Sequence, residues 1–382
     1  MQIEDVTYGR NEKYVVRFRG TLTVDSVEAY DRVAAAFHQR NFTPLFRMED
    51  NRHVILAMSG VIDARPSDPR VNLVLFGLTV FSAFYTGAFY ELSATATDSM
   101  QLLLDSLWQI YRGWPFAVGL LSILLAHEFG HYLAARWHGA PASLPYFIPL
   151  PAPIGAFGTL GAVILMKAPI RNRRILHDIG IAGPLAGFIV AIPVLIIGLL
   201  RSHVEPIVIP PGGGISLEGQ SIFYLLLKYV VYGQLLPAPA EYGFGGPLLH
   251  WIQYYFTSTP LPLGGRDVIL EQVAWAGWAG LLVTGLNLIP AGQLDGGHTL
   301  YVLLGKRVKW LVPAILMVLV LLGFFWQGWW LWAGLIYMLN RRPAELLDEI
   351  TPLDGRRRIL ALLTLGVFLL VFTPVPIVVV GG

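Results

Sequence analysis

Two hydrophobic patterns divide the chain near residue 70. Before that point, apolar and polar positions change every one to four residues. Tyr14–Thr23 alternates between them, so a strand is predicted within Lys13–Thr23. Asp25–Gln39 carries apolar residues at helical spacing (Val27, Tyr30, Val33, Phe37) behind a capping Asp25. Pro44–Met48 and His53–Ser59 predict two further strands, joined by a tight turn at Glu49–Arg52. Residues 1–70 are therefore expected to form a small soluble α+β domain, ending in a Pro- and Arg-bearing linker at Ala64–Arg70. No catalytic motif occurs in it, which favours a surface or regulatory module.

Beyond residue 70 the pattern becomes long uncharged runs. Leu73–Tyr90, Pro115–Trp137 around one polar motif, Ile179–Leu200 and Val273–Leu294 each reach membrane-crossing length. Glu91–Gly113 reads as a partly interfacial connection. Trp310–Asn340 is too long for one crossing, and Trp326, Trp329, Trp330 and Trp332 cluster at its middle, so two short spans with an aromatic turn are expected. Ile359–Gly382 is the last candidate, with a proline-containing, strand-like end. Pro145–Met166 is apolar but broken by Pro145, Pro149, Pro151, Pro153 and Gly155, which predicts a re-entrant loop or hairpin with a strand at Thr159–Met166. The fold class expected is a polytopic α-helical membrane protein of about 6–7 transmembrane helices, with a membrane-associated β-hairpin or re-entrant segment and the N-terminal α+β domain. Residues 71–382 would form the membrane domain.

Basic residues orient these runs. Lys167, Arg171, Arg173 and Arg174, then Lys306–Lys309, then Arg341–Arg358 fall on one side, which the positive-inside rule makes the cytoplasm. The N-terminal domain would share that side. Arg201–Asp267 would lie outside, with Ser221–Leu236 as an interfacial helix because Lys228 interrupts it.

Composition agrees with a bilayer setting: 55% of residues are hydrophobic and 14% charged. A net charge of +2 gives no basis for nucleic-acid binding. With 0 cysteines, a metal would have to be held by His, Asp or Glu. The first residues are charged and lack an apolar core, so no signal peptide is expected there.

Chemistry concentrates inside one of the spans. Leu124–Arg136 contains His-Glu-Phe-Gly-His, with His127 and His131 four residues apart. On a helix both imidazoles share a face and can hold one zinc ion, and Glu128 is placed as general base toward a water there. A catalytic zinc needs a third protein ligand. Asp295, ending an uncharged run and followed by two glycines, is the candidate; the plainer alternative is a loop aspartate opening a turn. His138 and His298 read as interfacial or hydrogen-bonding histidines.

These motifs resemble the site-2 protease family of intramembrane zinc metalloproteases. The resemblance rests on the histidine motif in a membrane helix, on Asn287, Pro290, Asp295 and Gly296 downstream, and on Gly183-Pro-Leu-Ala-Gly187 in the span between. It covers residues 115–300. The Arg201–Asp267 loop is too short for a PDZ domain, so the chain looks like the PDZ-lacking branch of bacteria, cyanobacteria and plastids; the N-terminal domain and Thr351–Arg358 have counterparts in that branch. The resemblance implies one zinc ion on His127, His131 and Asp295, Glu128 as base and then proton donor, and Asn287 facing the substrate or the developing oxyanion. An amide bonding a neighbouring helix is the other reading of Asn287. Gly183 and Gly187 read as helix-packing residues.

The function expected is hydrolysis of peptide bonds within or near transmembrane segments of membrane-protein substrates, in a cell inner membrane or a thylakoid or plastid membrane. The edge strand of the Pro145–Met166 segment would pair with an unwound substrate; the plainer alternative is a cytoplasmic-side loop that only packs near the metal helix. An intramembrane metal transporter explains His and Asp at membrane depth but not Glu128; a catalytically inactive membrane chaperone does not explain the intact set. Substrate identity is not legible, and homo-oligomer formation stays open.

Overall fold

The computed structural model describes residues 1–9, 14–62, 67–93, 98–209, 213–339 and 346–381. Residues 64–66 of the expected linker, and Arg341 and Arg342, lie outside them. The N-terminal unit is a four-stranded antiparallel sheet with one helix. Its elements are β1 (Gln2–Tyr8), β2 (Val16–Thr21), α1 (Ser26–His38), β3 (Phe42–Glu49) and β4 (Arg52–Ser59). The strand order is β1-β2-β4-β3, so β3 is an edge. Asp25 caps α1 by accepting from the Val27 N–H. Tyr30, Phe46 and Ile55 form the core between helix and sheet. β1 has no apolar alternation and every residue in it is exposed, which is why pattern reading overlooked it.

Among the described residues, three helices are long and apolar enough to cross a membrane: α2 (Pro69–Ser93), the continuous stretch Ile110–Trp137 that contains α4, and α5. A short helix α3 (Ser99–Trp108) lies between the first two, and α4 itself spans Trp114–Trp137. The proline-broken segment forms an antiparallel hairpin of β5 (Tyr146–Leu150) and β6 (Gly158–Val163), with an irregularity between Phe147 and Pro149. Ser82 of α2 donates to the carbonyl of Gly158 at 2.6 Å, which fastens the hairpin to that helix. α5 (Arg173–Arg201) runs through Pro184 and Pro193 without breaking.

The segment expected outside is a small cap rather than an open loop. It contains β7 (His203–Pro206), β8 (Ile215–Glu218), α6 (Ile222–Tyr232), α7 (Gly246–Thr257) and β9 (Arg266–Ile269), with β7 paired to β9. Lys228 does not play the part expected of it in this helix. Its ammonium is fully buried, 2.8 Å from Glu218 and 3.0 Å from Asp267. The charge that looked like a surface marker is an internal ion pair, because two carboxylates more than nine residues away in sequence fold over it.

α8 (Gln272–Asn287) stops short of the predicted Leu294, because the following Leu288-Ile289-Pro290 sequence turns the chain. α9 (Asp295–Leu304) follows. The long Trp-rich run is a helical hairpin of α10 (Val308–Leu322) and α11 (Gly328–Leu339), as its length required. α12 (Gly355–Val371) is followed by β10 (Ile377–Val380), which pairs with β8 of the cap. These last membrane-domain helices run 10 to 17 residues, shorter than a perpendicular crossing needs.

α4, α5 and α8 form the centre. Small residues let them approach: a Cβ on Gly130 of α4 would sit 2.6 Å from the Ala182 carbonyl of α5, and one on Gly277 of α8 would sit 2.7 Å from the Leu195 Cα. Leu120, Ile123, Leu124, Leu195, Trp278 and Leu281 fill the space between.

Candidate metal centre

The site lies in the second half of α4. His127 and His131 are one turn apart on the helix face turned toward α5 and α8, and their Nε2 atoms are 3.2 Å apart. Asp295 reaches the same point from the first turn of α9. Its Oδ2 is 3.4 Å from His127 Nε2 and 3.3 Å from His131 Nε2. A helix N-terminus favours a carboxylate in that position.

Three donor atoms at mutual distances of 3.2 to 3.4 Å match a tetrahedral zinc. Bonds of about 2.0–2.1 Å separate tetrahedral ligand atoms by about 3.3–3.4 Å. Among the described residues, these three form the one such His/Asp/Glu group. The donor set also fits chemically, since it offers two imidazoles and a carboxylate with no thiolate.

α5 orients the imidazoles. His131 Nδ1 lies 2.7 Å from the Ile179 carbonyl oxygen. A carbonyl only accepts, so the ring carries its proton on Nδ1 and turns the Nε2 lone pair toward the shared point. Gly183 and Gly187 sit against the two rings: a Cβ on Gly183 would be 2.1 Å from His131 Nε2, and one on Gly187 would be 3.3 Å from His127 Nδ1. Both glycines thus do more than bring helices together, because they make room for the rings themselves. The small-residue spacing marked the positions, but the imidazoles it accommodates are more than fifty residues upstream and not inferable from it. Ile179 contributes through its backbone and leaves no sequence signal.

The turn between α8 and α9 brings in the remaining groups. Gly292 adopts φ 64°, and Gly296 lies so close to the Leu288 carbonyl that a Cβ would fall 1.9 Å from its oxygen. This tight fold-back carries Asp295 toward the histidines and keeps Asn287 beside them. The Asn287 amide nitrogen is 3.3 Å from His127 Nε2. Glu128, next to the first histidine, is buried with 6% of its surface exposed. His138 pairs instead with Asp178 at 2.9 Å, and His298 packs against Gly180. The described residues therefore bring together His127, His131, Asp295 and Asn287, as a set drawn from three separate segments of the chain.

Comparison with known proteins adds an independent finding. The profile of Peptidase family M50 matches residues 115–325. Relatives include a protein named "Probable zinc metalloprotease EGY2, chloroplastic" from Arabidopsis thaliana, 28% identical over 96% of this chain and 61% of its own length. A second is "Probable zinc metalloprotease EGY1, chloroplastic" from Oryza sativa subsp. japonica, 29% identical over 80% of this chain and 50% of its own. A third is "Probable zinc metallopeptidase EGY3, chloroplastic" from Arabidopsis thaliana, 24% identical over 75% and 46%. The chain spans about half the length of these curated relatives. No solved structure matches it significantly.

Proposed function

The chain belongs to peptidase family M50, and on that premise we propose that it is an intramembrane zinc metalloendopeptidase acting on transmembrane segments of membrane-protein substrates. The observation that carries this reading is the convergence of His127, His131 and Asp295 at tetrahedral spacing within a helix long enough to cross the bilayer. A zinc ion held there supplies a Lewis acid that makes water nucleophilic near neutral pH and polarises a peptide carbonyl.

The protein's own groups do the rest. Glu128 takes the proton from the attacking water and returns it to the leaving amine. Asn287 aims its amide at the substrate carbonyl, where negative charge develops. Ile179, Gly183 and Gly187 keep the two imidazoles in register. β6 offers an edge to an unwound substrate strand, which exposes the peptide bond that a helix would hide.

Three long crossings, α2, α4 and α5, and four shorter ones built on α8, α10, α11 and α12 together with the apolar residues that flank them, would give a consistent topology. Lys306 pairs with Glu349, Arg357 with Asp178 near the start of α5, and Arg171 with Asp31, so the basic segments and the N-terminal unit gather at one end. The pairing of β10 with β8 belongs to the other end. The positive-inside rule then makes residues 1–70 a cytoplasmic domain and 71–382 the membrane protease domain. The chloroplast location printed for the relatives supports a thylakoid or plastid membrane.

The test is zinc content and cleavage of a membrane-helix substrate, wild type beside Glu128→Gln. The variant is expected to keep its zinc and lose about 10²- to 10⁴-fold in turnover. Absence of bound zinc in the wild type, or full turnover in the variant, overturns the reading; metal transport that survives in the variant while hydrolysis never occurs would point to a transporter.

A further inference from the structure

Residues Leu346–Thr351 join the N-terminal sheet to the membrane domain. Leu347 and Glu349 pair with Phe46 of the edge strand β3: the Phe46 N–H donates to the Leu347 carbonyl at 2.8 Å, and the Glu349 N–H donates to the Phe46 carbonyl at 3.1 Å. On its other side the same segment donates from Leu347 N–H to Ile170 at 3.0 Å and from Asp348 N–H to Arg171 at 2.6 Å. It thus acts as an added strand between β3 and the residues that lead into α5. Its side chains divide likewise. Leu347 and Ile350 pack on the core of the N-terminal unit, whereas Leu346 packs with Leu176 of α5 and Val302 of α9. Asp348 is fully buried and holds the turn, accepting from the N–H groups of Ile350 and Thr351.

Arg171 makes a second tie. Its guanidinium bonds the Val27 carbonyl at 2.7 Å and Asp31 at 2.8 Å, and lies over the Tyr30 ring. Asn172, next along, caps α5 by accepting from the N–H groups of Arg174 and Ile175. Two turns further on, the same helix presents Ile179 O to His131. The helices touched by Leu346 are therefore the one that backs both histidines and the one that carries Asp295.

We propose that Arg171 and the strand Leu346–Thr351 are positioning elements for the metal centre, through which docking of the N-terminal domain sets where α5 and α9 hold His131 and Asp295. This rests on the zinc reading above. The physical basis is that metal affinity depends on how firmly ligands are oriented, and loss of an orienting partner typically lowers affinity about 10- to 100-fold. Neither Arg171 nor residues 346–351 bears a ligand, so any effect of theirs must travel through the two helices.

The chain contains no cysteine, so a reversible lock can be introduced cleanly. Ser26 and Thr351 face each other across the joint, their hydroxyl oxygens 2.8 Å apart, so this pair is the place to introduce it. The experiment uses the full chain in detergent or nanodisc. It compares wild type, Arg171→Ala, and Arg171→Ala carrying Ser26→Cys and Thr351→Cys, reduced and oxidised. Zinc affinity is measured by chelator competition, and kcat and KM are measured separately.

Arg171→Ala and the reduced triple variant should bind zinc about ten-fold more weakly, with a lower kcat and a nearly unchanged KM. Oxidation should restore both. Wild-type affinity in Arg171→Ala, equal affinities in the oxidised and reduced triple variant, or failure of the disulfide to form would each overturn the proposal. A wild type that binds no zinc would instead overturn the metalloprotease reading.

Discussion

Gly183 lies directly beneath the His131 ring, so close that a Cβ there would fall 2.1 Å from Nε2. Real side chains do not tolerate that separation, and neither partner is free to move. The ring is held by its bond to Ile179, and the glycine backbone is inside α5. Gly183→Ala is therefore expected to displace the imidazole and weaken zinc binding toward the upper end of the about 10- to 100-fold range seen when ligand orientation is lost. Gly187→Ala meets His127 at 3.1 Å or more, where a few tenths of an ångström of adjustment suffices, and should cost much less. Zinc titration of the two variants checks the order; equal losses would show that the clearance under His131 is unimportant.

Among the described residues, Lys228 is the cation paired with two buried carboxylates in the cap. Tyr224 adds a hydroxyl to Glu218 at 2.9 Å. Removing the ammonium leaves the carboxylates uncompensated, so Lys228→Met should destabilise the protein by about 3–5 kcal/mol. Combining it with Glu218→Gln and Asp267→Asn removes the charges altogether and should recover most of that loss. Thermal or denaturant unfolding in detergent distinguishes these outcomes. A single variant as stable as wild type would mean the pair is open to water.

The same cluster predicts a pH dependence. Burial pushes the Asp267 carboxyl up to about 6, and Glu218 adds to the rise, while Lys228 and the Val268 N–H oppose it. Tyr224, Tyr232 and Tyr254 also face the cluster and stay neutral, their hydroxyls pushed up by burial. Because the folded value exceeds the unfolded one, near 4, the stabilisation is present below about 4 and is lost as pH rises through about 6. Relative to Asp267→Asn, whose amide oxygen still accepts from Lys228 and Val268, the wild type should lose stability between pH 4 and 7. Parallel stability curves for the two proteins would contradict this.

The hairpin makes a separate prediction. Leu160 on β6 is 68% exposed, and the two-stranded sheet leaves the outer edge of β6 unpaired by any described strand. Leu160→Pro together with Ala162→Pro removes two N–H groups from that strand. Cleavage should be abolished while zinc binding persists, since neither residue approaches the histidines in sequence or belongs to the helices that hold them. Cleavage at the wild-type rate would exclude strand pairing with substrate.

How far the chain could be read without coordinates follows from the range of each interaction. The capped α1, the β3–β4 turn and the α10–α11 hairpin rest on neighbours within a few residues, and all were legible. The helix ends were less so. α8 was expected to run to Leu294 but stops at Asn287, because the gain from a tight turn at Pro290 and Gly292 depends on packing against other helices. β1 was missed since its residues bury nothing and are specified by pairing with β2 alone.

The sequence by itself determined that two imidazoles share a helix face in an apolar run, because a four-residue separation is a property of the α-helix whatever surrounds it. It also determined the absence of thiolate chemistry and the asymmetry of basic loops. Only the tertiary structure decided that Asp295 meets those imidazoles at 3.3 to 3.4 Å, that Gly183 clears a ring, that Lys228 is buried, and that residues 346–351 tie the N-terminal sheet to α5. Each of those depends on the close approach of segments tens to hundreds of residues apart, set by helix packing and strand register, which no local pattern in the chain encodes.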